Sequence, residues 1–235
     1  MINVDHVPAV RRALLAELWQ SRAKSESTVR VVFDQLVGEL AQAGAHADVI
    51  ALARHAADDE ERHARICHDL ATAYRGTEAE LVATPTARLP DYTSDVRLRA
   101  ALHAINLCCI SESLACAFVE ACIGECDDSE LRAVHGRHLA DEVGHARVGW
   151  AHVASLSPED KAAVGPFLVE ILRAQIEGWE SRVHTLPQDG VPGHGYPARD
   201  VIIGVIRAAV REIVLPGFAH VGIDASAAQA WFDAR

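Results

Sequence analysis

Two short stretches of the chain carry residue types that hold metal ions. One reads AADDEERHARIC and contains Asp59-Glu60-Glu61-Arg62-His63; the other reads HLADEVGHARVGW and contains Asp141-Glu142-Val143-Gly144-His145. Each is Asp-Glu-x-x-His. Residues three apart on a helix share a face, so Glu60 with His63, and Glu142 with His145, can each grip one cation. One Glu-x-x-His arises often by chance, whereas two in separate segments are a far stronger signal.

Such a site also needs a carboxylate from each partner helix. Glu60 lies 16 residues after Gly44 and Glu26 lies 18 before it; Glu142 lies 15 beyond Asp127 and Glu112 lies 15 before it. At ~1.5 Å rise per residue, all four sit roughly 22 to 27 Å from their turns, in one layer. Four carboxylates and two imidazoles match the charge of two divalent cations. Without metal, four buried acids would repel one another and lose hydration. Mixed oxygen and nitrogen donors suit iron or manganese, and no CxxC zinc pattern is present. Two iron ions, or an iron–manganese pair, are therefore the expected cofactor.

The elements that must position these residues are helices. Ala, Leu, Glu and Arg dominate long stretches with apolar residues at three- and four-residue spacing, and strand signals are few. The pattern predicts helices over 8–43, 46–75, 95–126, 128–156, 158–184 and 198–215. Gly44 closes the first, leaving Ala45-His46-Ala47 for a tight antiparallel turn. Cys126-Asp127-Asp128-Ser129 makes the second hairpin and offers Asp or Ser as an N-cap. Between the hairpins, Gly76 to Ser94 holds Pro85, Pro90 and a Thr-rich patch; at up to ~3.3 Å per extended residue it can run the length of a bundle. The expected fold is all-α, a ferritin-like four-helix bundle over 1–156 made of two antiparallel hairpins and a long crossover. A C-terminal helical extension over 157–235 is expected to pack on the same domain.

Composition narrows the function. The 235 residues carry a formal charge of -11, which argues against nucleic acid or an anionic membrane as partner. No stretch reaches 18 uninterrupted apolar residues; the nearest candidate, VIIGVIRAAVREIVLP from Val201, carries three charges. The start, MINVDHVPAVRR, lacks a secretory signal pattern. Five of the six cysteines (Cys67, Cys108, Cys109, Cys116, Cys122 and Cys126) crowd one helical segment, which implies free thiols and a reducing cytoplasm. A homodimer is compatible with the chain.

From Trp19 to Trp150 the sequence resembles a carboxylate-bridged di-iron protein of the ferritin-like superfamily. It is also similar to a little-studied bacterial ferritin-like family whose first helix carries Glu-His-Ala-Ser before a Phe. Here that stretch is Glu26-Ser27-Thr28-Val29 with Phe33 following, so a Ser stands in place of the His. The resemblance implies ligands Glu26, Glu60, His63, Glu112, Glu142 and His145, with bridging and terminal roles open. It further implies that Asp59 hydrogen-bonds His145 and Asp141 hydrogen-bonds His63, each fixing the tautomer of a ligand ring. Cys67, four residues beyond His63, falls where the superfamily places a redox-active Tyr or a pocket Cys; Cys116, one turn beyond Glu112, falls where related oxygenases line their pocket.

Simpler roles compete for these neighbours. The cysteines, with Cys108 and Cys109 on the other flank, read first as small buried hydrophobes and second as lining of a dry pocket. Arg22 and Arg30, one turn either side of Glu26, read as side chains reaching outward to surface acids, with anion binding as the alternative. Gly149 is expected to leave space beside the site. His135 and His138 share the Glu142 face and read mainly as hydrogen-bonded groups, with a proton path as the alternative. His103 faces away, and Glu39, Glu120 and Glu125 read as solvated charges. The loop around His194 and Tyr196 reads as a linker, with a lid or an oligomer contact as alternatives. The leading functional expectation is a di-iron oxidase or oxygenase that uses O2, an electron donor and a small organic substrate. A ferroxidase or iron-handling protein, and a metal-stabilised protein or peroxide scavenger, are the alternatives.

Overall fold

A computed structural model describes residues 2, 4–80 and 86–235; Met1 and Asn3, and Pro85 with part of the Thr-rich patch of the crossover, lie outside the described residues. Helix α1 (Ala9–Gln42) ends at Gly44, whose φ of 71° lets Ala45 N–H return to the Leu40 carbonyl at 2.9 Å. That 6→1 bond is the glycine-dependent helix stop. Helix α2 (Ala47–Arg75) starts two residues on, capped by the His46 ring accepting from Asp48 N–H at 3.3 Å. After the crossover, Asp95 caps a continuous helical run of α3 (Val96–Ala104), a π-helical segment (Ile105–Glu112) and α4 (Ser113–Gly124). Asp128 caps α5 (Ser129–Ala154) by accepting from Leu131 N–H at 2.8 Å.

These four long helical runs close a ring, α1 on α2, α2 on α5, α5 on the π segment and α4, and α3 back on α1. The described ends of the crossover lie along α1. Gln20 Nε2 donates to the Glu80 carbonyl at 3.0 Å, and Gln35 Oε1 accepts from Leu89 N–H at 3.1 Å. Among the described residues the chain is helical without a named strand; only isolated bridges occur, between Cys126 and Gly193 or His194 and between Val191 and Tyr196.

The extension is more divided than its periodicity suggests. The expected helix over 158–184 is α6 (Pro158–Val164), a 3₁₀ turn (Gly165–Phe167) and α7 (Leu168–Thr185). Pro166 lacks the N–H that a continuous helix requires. Next come α8 (Arg199–Ala209), a π segment (Val210–Val214) and α9 (Leu215–His220). The Ala-rich tail forms α10 (Ser226–Asp233), which buries Ala228 and Phe232. One apolar cluster joins Leu102, Ile105 and Leu114 to Ile171, Ile206, Phe218 and Phe232, so the extension shares its core with the α3–α4 run. That core explains why Val96–Gly124, rather than the stretch at Val201, is long and apolar enough by composition to cross a membrane. Half of its most apolar window is buried.

Two local expectations are corrected here. The loop over 186–198 is no plain linker, because Asp127 N–H donates to the Gly193 carbonyl and Gly195 N–H to the Glu125 carbonyl, both at 3.0 Å. Those bonds fasten it to the second hairpin turn and bury Val191 and Tyr196. Nor does Gly149 leave open space. A Cβ there would lie 2.7 Å from the Ala104 carbonyl oxygen, Cys108 Cβ and Cys109 Sγ, so the missing side chain lets α5 lie directly on the α3–π junction. Gly149→Ala is expected to destabilise the fold by about 1–3 kcal/mol through overpacking, read by urea denaturation. Unchanged stability would mean that the two helices separate at no cost.

Candidate metal centre

The layer of acids predicted from turn spacing lies inside the ring of helices. Glu26, Glu60, Glu112, Glu142, His63 and His145 are all buried. Glu60, Glu112, Glu142 and His145 each bring one donor atom within 4.8 Å of the other three, and so do Glu26, His63, His138 and Glu142. Glu142 belongs to both groups. These buried clusters can hold a metal ion.

The imidazoles are oriented by acids on the neighbouring helix. His63 Nε2 lies 3.0 Å from Asp141 Oδ2, and His145 Nε2 lies 3.4 Å from Asp59 Oδ2. Their opposite nitrogens face the carboxylates, His145 Nδ1 lying 3.0 Å from Glu60 Oε1 and 3.1 Å from Glu142 Oε2. A proton on Nε2, held by an aspartate, leaves the Nδ1 lone pair for a cation. Arg62 ties the two aspartates together, with Nη1 donating to Asp59 at 2.6 Å and Nη2 to Asp141 at 2.8 Å. Sequence reading missed Arg62 in this role, although its place inside the Asp-Glu-x-x-His motif was the available signal.

His138 is a hydrogen-bonded group, as expected, and it also joins the donors. Its Nε2 lies 2.8 Å from Glu142 Oε1 and 3.6 Å from Glu26 Oε1, and its ring stacks on His63 at 3.7 Å between centroids. The donor set is therefore seven side chains rather than six. Arg22 turns inward, contrary to the outward reading, because Nε donates to Glu26 Oε1 at 3.0 Å. Burial disfavours its charge, but Glu26 together with Cys67, Cys122 and Tyr196 outweighs that and raises the guanidinium pKa. Arg30 does lie outward, paired with Asp34 and 3.9 Å from Glu61. Glu39 and His103 are buried partners rather than solvated groups. His103 bonds Glu39 through Nδ1 and lies 2.7 Å from the Pro90 carbonyl through Nε2, clamping the crossover to α1.

The electrostatics are those of a site short of positive charge. Burial, then the Glu142 charge, pushes the Glu112 carboxyl well up, and the same causes raise Glu60. Burial also opposes ionisation of Glu142, but hydrogen bonds from His138 and His145 outweigh it and hold it well below the usual range. His145 is pushed up to about 12, because Glu142 and Glu60 overcome its burial. Glu60 Oε2, His63 Nδ1 and Glu112 Oε1 are buried without a hydrogen-bond partner among the described residues. Unsatisfied lone pairs in a protein interior cost about 1–3 kcal/mol each, and here they converge.

The π-helical turn places the fourth acid. Ile105–Glu112 winds wider than an α-helix and ends on Glu112, with Asn106 accepting from Gln175 Nε2 on α7. Such insertions are frequent at functional sites. On the open side, a cavity of about 390 Å³ reaches Glu26, Glu60, Glu112 and Glu142 and is walled by Leu18, Ala115, Phe118, Val119, Trp179 and Val183. Cys67 and Cys116, expected as pocket lining, are not among its walls. Cys67 is fully buried with Trp19, Ala23 and Leu70, and the wall contributed by α4 is the neighbouring stripe of Ala115, Phe118 and Val119. All six thiols are free, and burial pushes Cys116 up to about 12, so they behave as packing groups rather than thiolates.

Beneath Arg22, His135 is fully buried, beside Trp19 at 5.4 Å between centroids, with neither ring nitrogen hydrogen-bonded among the described residues. Burial, then the charges of Arg22 and His138, lowers its pKa from 6.5 to about 2. The unfolded chain protonates this ring near pH 6.5 while the folded chain does not, so stability is full above that pH and lost below it. The expected loss is about 1.4 kcal/mol per pH unit, and His135→Phe should remove that slope in urea melts between about pH 6 and pH 5. Equal slopes in the two proteins would show that the native ring takes up its proton.

No protein-family model, curated protein or solved structure matches the chain.

Proposed function

We propose that the chain is a di-iron protein of ferritin-like architecture that oxidises a small organic substrate with O2 and an external electron donor. Seven oxygen and nitrogen donors, with orphaned lone pairs on Glu60, His63 and Glu112, suit a hard-to-borderline cation such as iron or manganese. Two ions fit better than one, because the donors fall into two groups that share Glu142. The observation that carries the reading is the cavity of about 390 Å³ lying directly against four of the carboxylates. A purely structural metal site would have its coordination filled by protein and no room beside it, and an iron-storage role has no use for an apolar chamber.

When bound, a ferrous pair supplies the electrons for O2 activation. The chain's own residues do the rest. Glu26, Glu60, Glu112 and Glu142 provide the anionic cradle, and His63, His138 and His145 complete it. Asp59 and Asp141, joined by Arg62, hold the His145 and His63 rings with Nδ1 inward. Arg22 fixes Glu26 Oε1 on the cavity side. Phe118, Val119, Trp179 and Val183 exclude water from the space a substrate would occupy.

The test is anaerobic loading with ferrous iron, quantified by metal analysis, followed by O2 exposure in a stopped-flow spectrophotometer. Two irons per chain and a transient absorbance are expected. Binding of one iron or none, with a flat spectrum, would remove the reading.

A further inference from the structure

The cavity also carries information about what enters it. Its mouth holds Arg182 on α7, solvent-exposed, its guanidinium without an ion pair or hydrogen bond among the described residues. The guanidinium lies over the Trp179 ring, 4.6 Å from its centroid. Stacking on an aromatic face positions a guanidinium while leaving its in-plane N–H donors free, and that fork matches a carboxylate. Arg182 and Glu112 line the same cavity, so the mouth and the floor belong to one chamber. The other cation in the wall, Arg22, is already neutralised by Glu26.

Between Arg182 and the carboxylate floor the walls are mostly apolar, formed by Leu18, Phe118, Val119, Trp179 and Val183. At about 390 Å³ the chamber falls within the roughly 300–1,000 Å³ of small-molecule sites. Glu17 also lines it and, with the acidic floor, disfavours an anion of higher charge. We propose that this chamber binds an amphipathic monocarboxylate, its head paired with Arg182 at the mouth and its apolar chain running inward toward the buried acids. That orientation presents carbon–hydrogen bonds, not the carboxylate, to the metal centre. The inference rests on the di-iron reading for the site of oxidation and on the cavity alone for binding.

Isothermal titration of the iron-loaded protein, kept anaerobic, with octanoate and with octanamide tests the head-group assignment. Octanoate should bind at least about 10-fold tighter than its neutral amide, as one charge-assisted pair allows. Arg182→Gln should weaken octanoate by about the same factor and leave octanamide within about twofold; Arg182→Lys should restore part of the difference. Because Arg182 is exposed, circular dichroism should report an unchanged fold for both variants. Equal binding of acid and amide, no binding of either, or an octanoate affinity indifferent to Arg182→Gln would overturn the proposal. Metal analysis of the same samples separates the two readings. Chains that take up no iron yet discriminate octanoate through Arg182 remove the di-iron reading alone, whereas loaded chains that do not discriminate remove this one.

Discussion

Anaerobic addition of ferrous iron or manganese is expected to raise the unfolding temperature by roughly 8–16 °C. A ligand that binds only the folded state adds about 4 kcal/mol at a thousand times its Kd, and each kcal/mol moves Tm by about 2–4 °C in a chain of this size. The physical source is specific to this interior. Glu60 and Glu112 are held up by burial and by the Glu142 charge, and three buried donor atoms have no hydrogen-bond partner among the described residues. A divalent cation satisfies those lone pairs and cancels the repulsion among the acids at once. Differential scanning fluorimetry with and without metal, and with magnesium as a hard all-oxygen control, reads the effect. No shift with either transition metal would mean that the cluster is stabilised by its own protons and histidines.

Most of the framework was legible because turns and periodicity are local. Gly44 and the Cys126–Ser129 turn set the ends of two hairpins, and counting residues from them was enough to propose Glu26 and Glu112 as partners of Glu60 and Glu142. The structure brings these four acids together even though the π-helical turn at Ile105–Glu112 was not foreseen; one wide turn shifts height by little more than a single residue's rise. What remained illegible depends on rotation and on contacts distant in sequence. Whether His138 faces the acids is decided by the setting of α5 against α1, and Arg22 turns inward only because Glu26 and the His138 ring lie within reach. Gly149 was misread for a related reason: the sequence shows a missing side chain, but only the packed fold shows that backbone and cysteines already fill its place. Trp179, Arg182 and Tyr196 belong to the cavity wall because the extension folds back across α4, a tertiary event without a sequence period.

Glu112→Gln is expected to separate the cost of this site from its use. In the metal-free protein Glu112 is buried, its Oε1 has no hydrogen-bond partner among the described residues, and burial together with Glu142 and Glu60 favours its neutral form. An amide of the same shape replaces a group that is already uncharged, so unfolding free energy without metal should stay within about 1 kcal/mol of the parent or rise. Metal binding should respond in the opposite sense. Glu112 is one of four donors in its group, and an amide is a poorer, neutral ligand for a hard cation. Affinity should therefore fall by more than about 100-fold, beyond the 10–100-fold typical of changes to outer hydrogen-bonding partners. Urea melts of the metal-free proteins and competitive metal titration of both supply the two measurements. Equal metal affinity in parent and variant would take Glu112 out of the donor set, while a large loss of metal-free stability would make it a structural acid. Together, retained stability and lost affinity would identify a residue whose place in the core is maintained for the metal, because the fold alone does not require a carboxylate there.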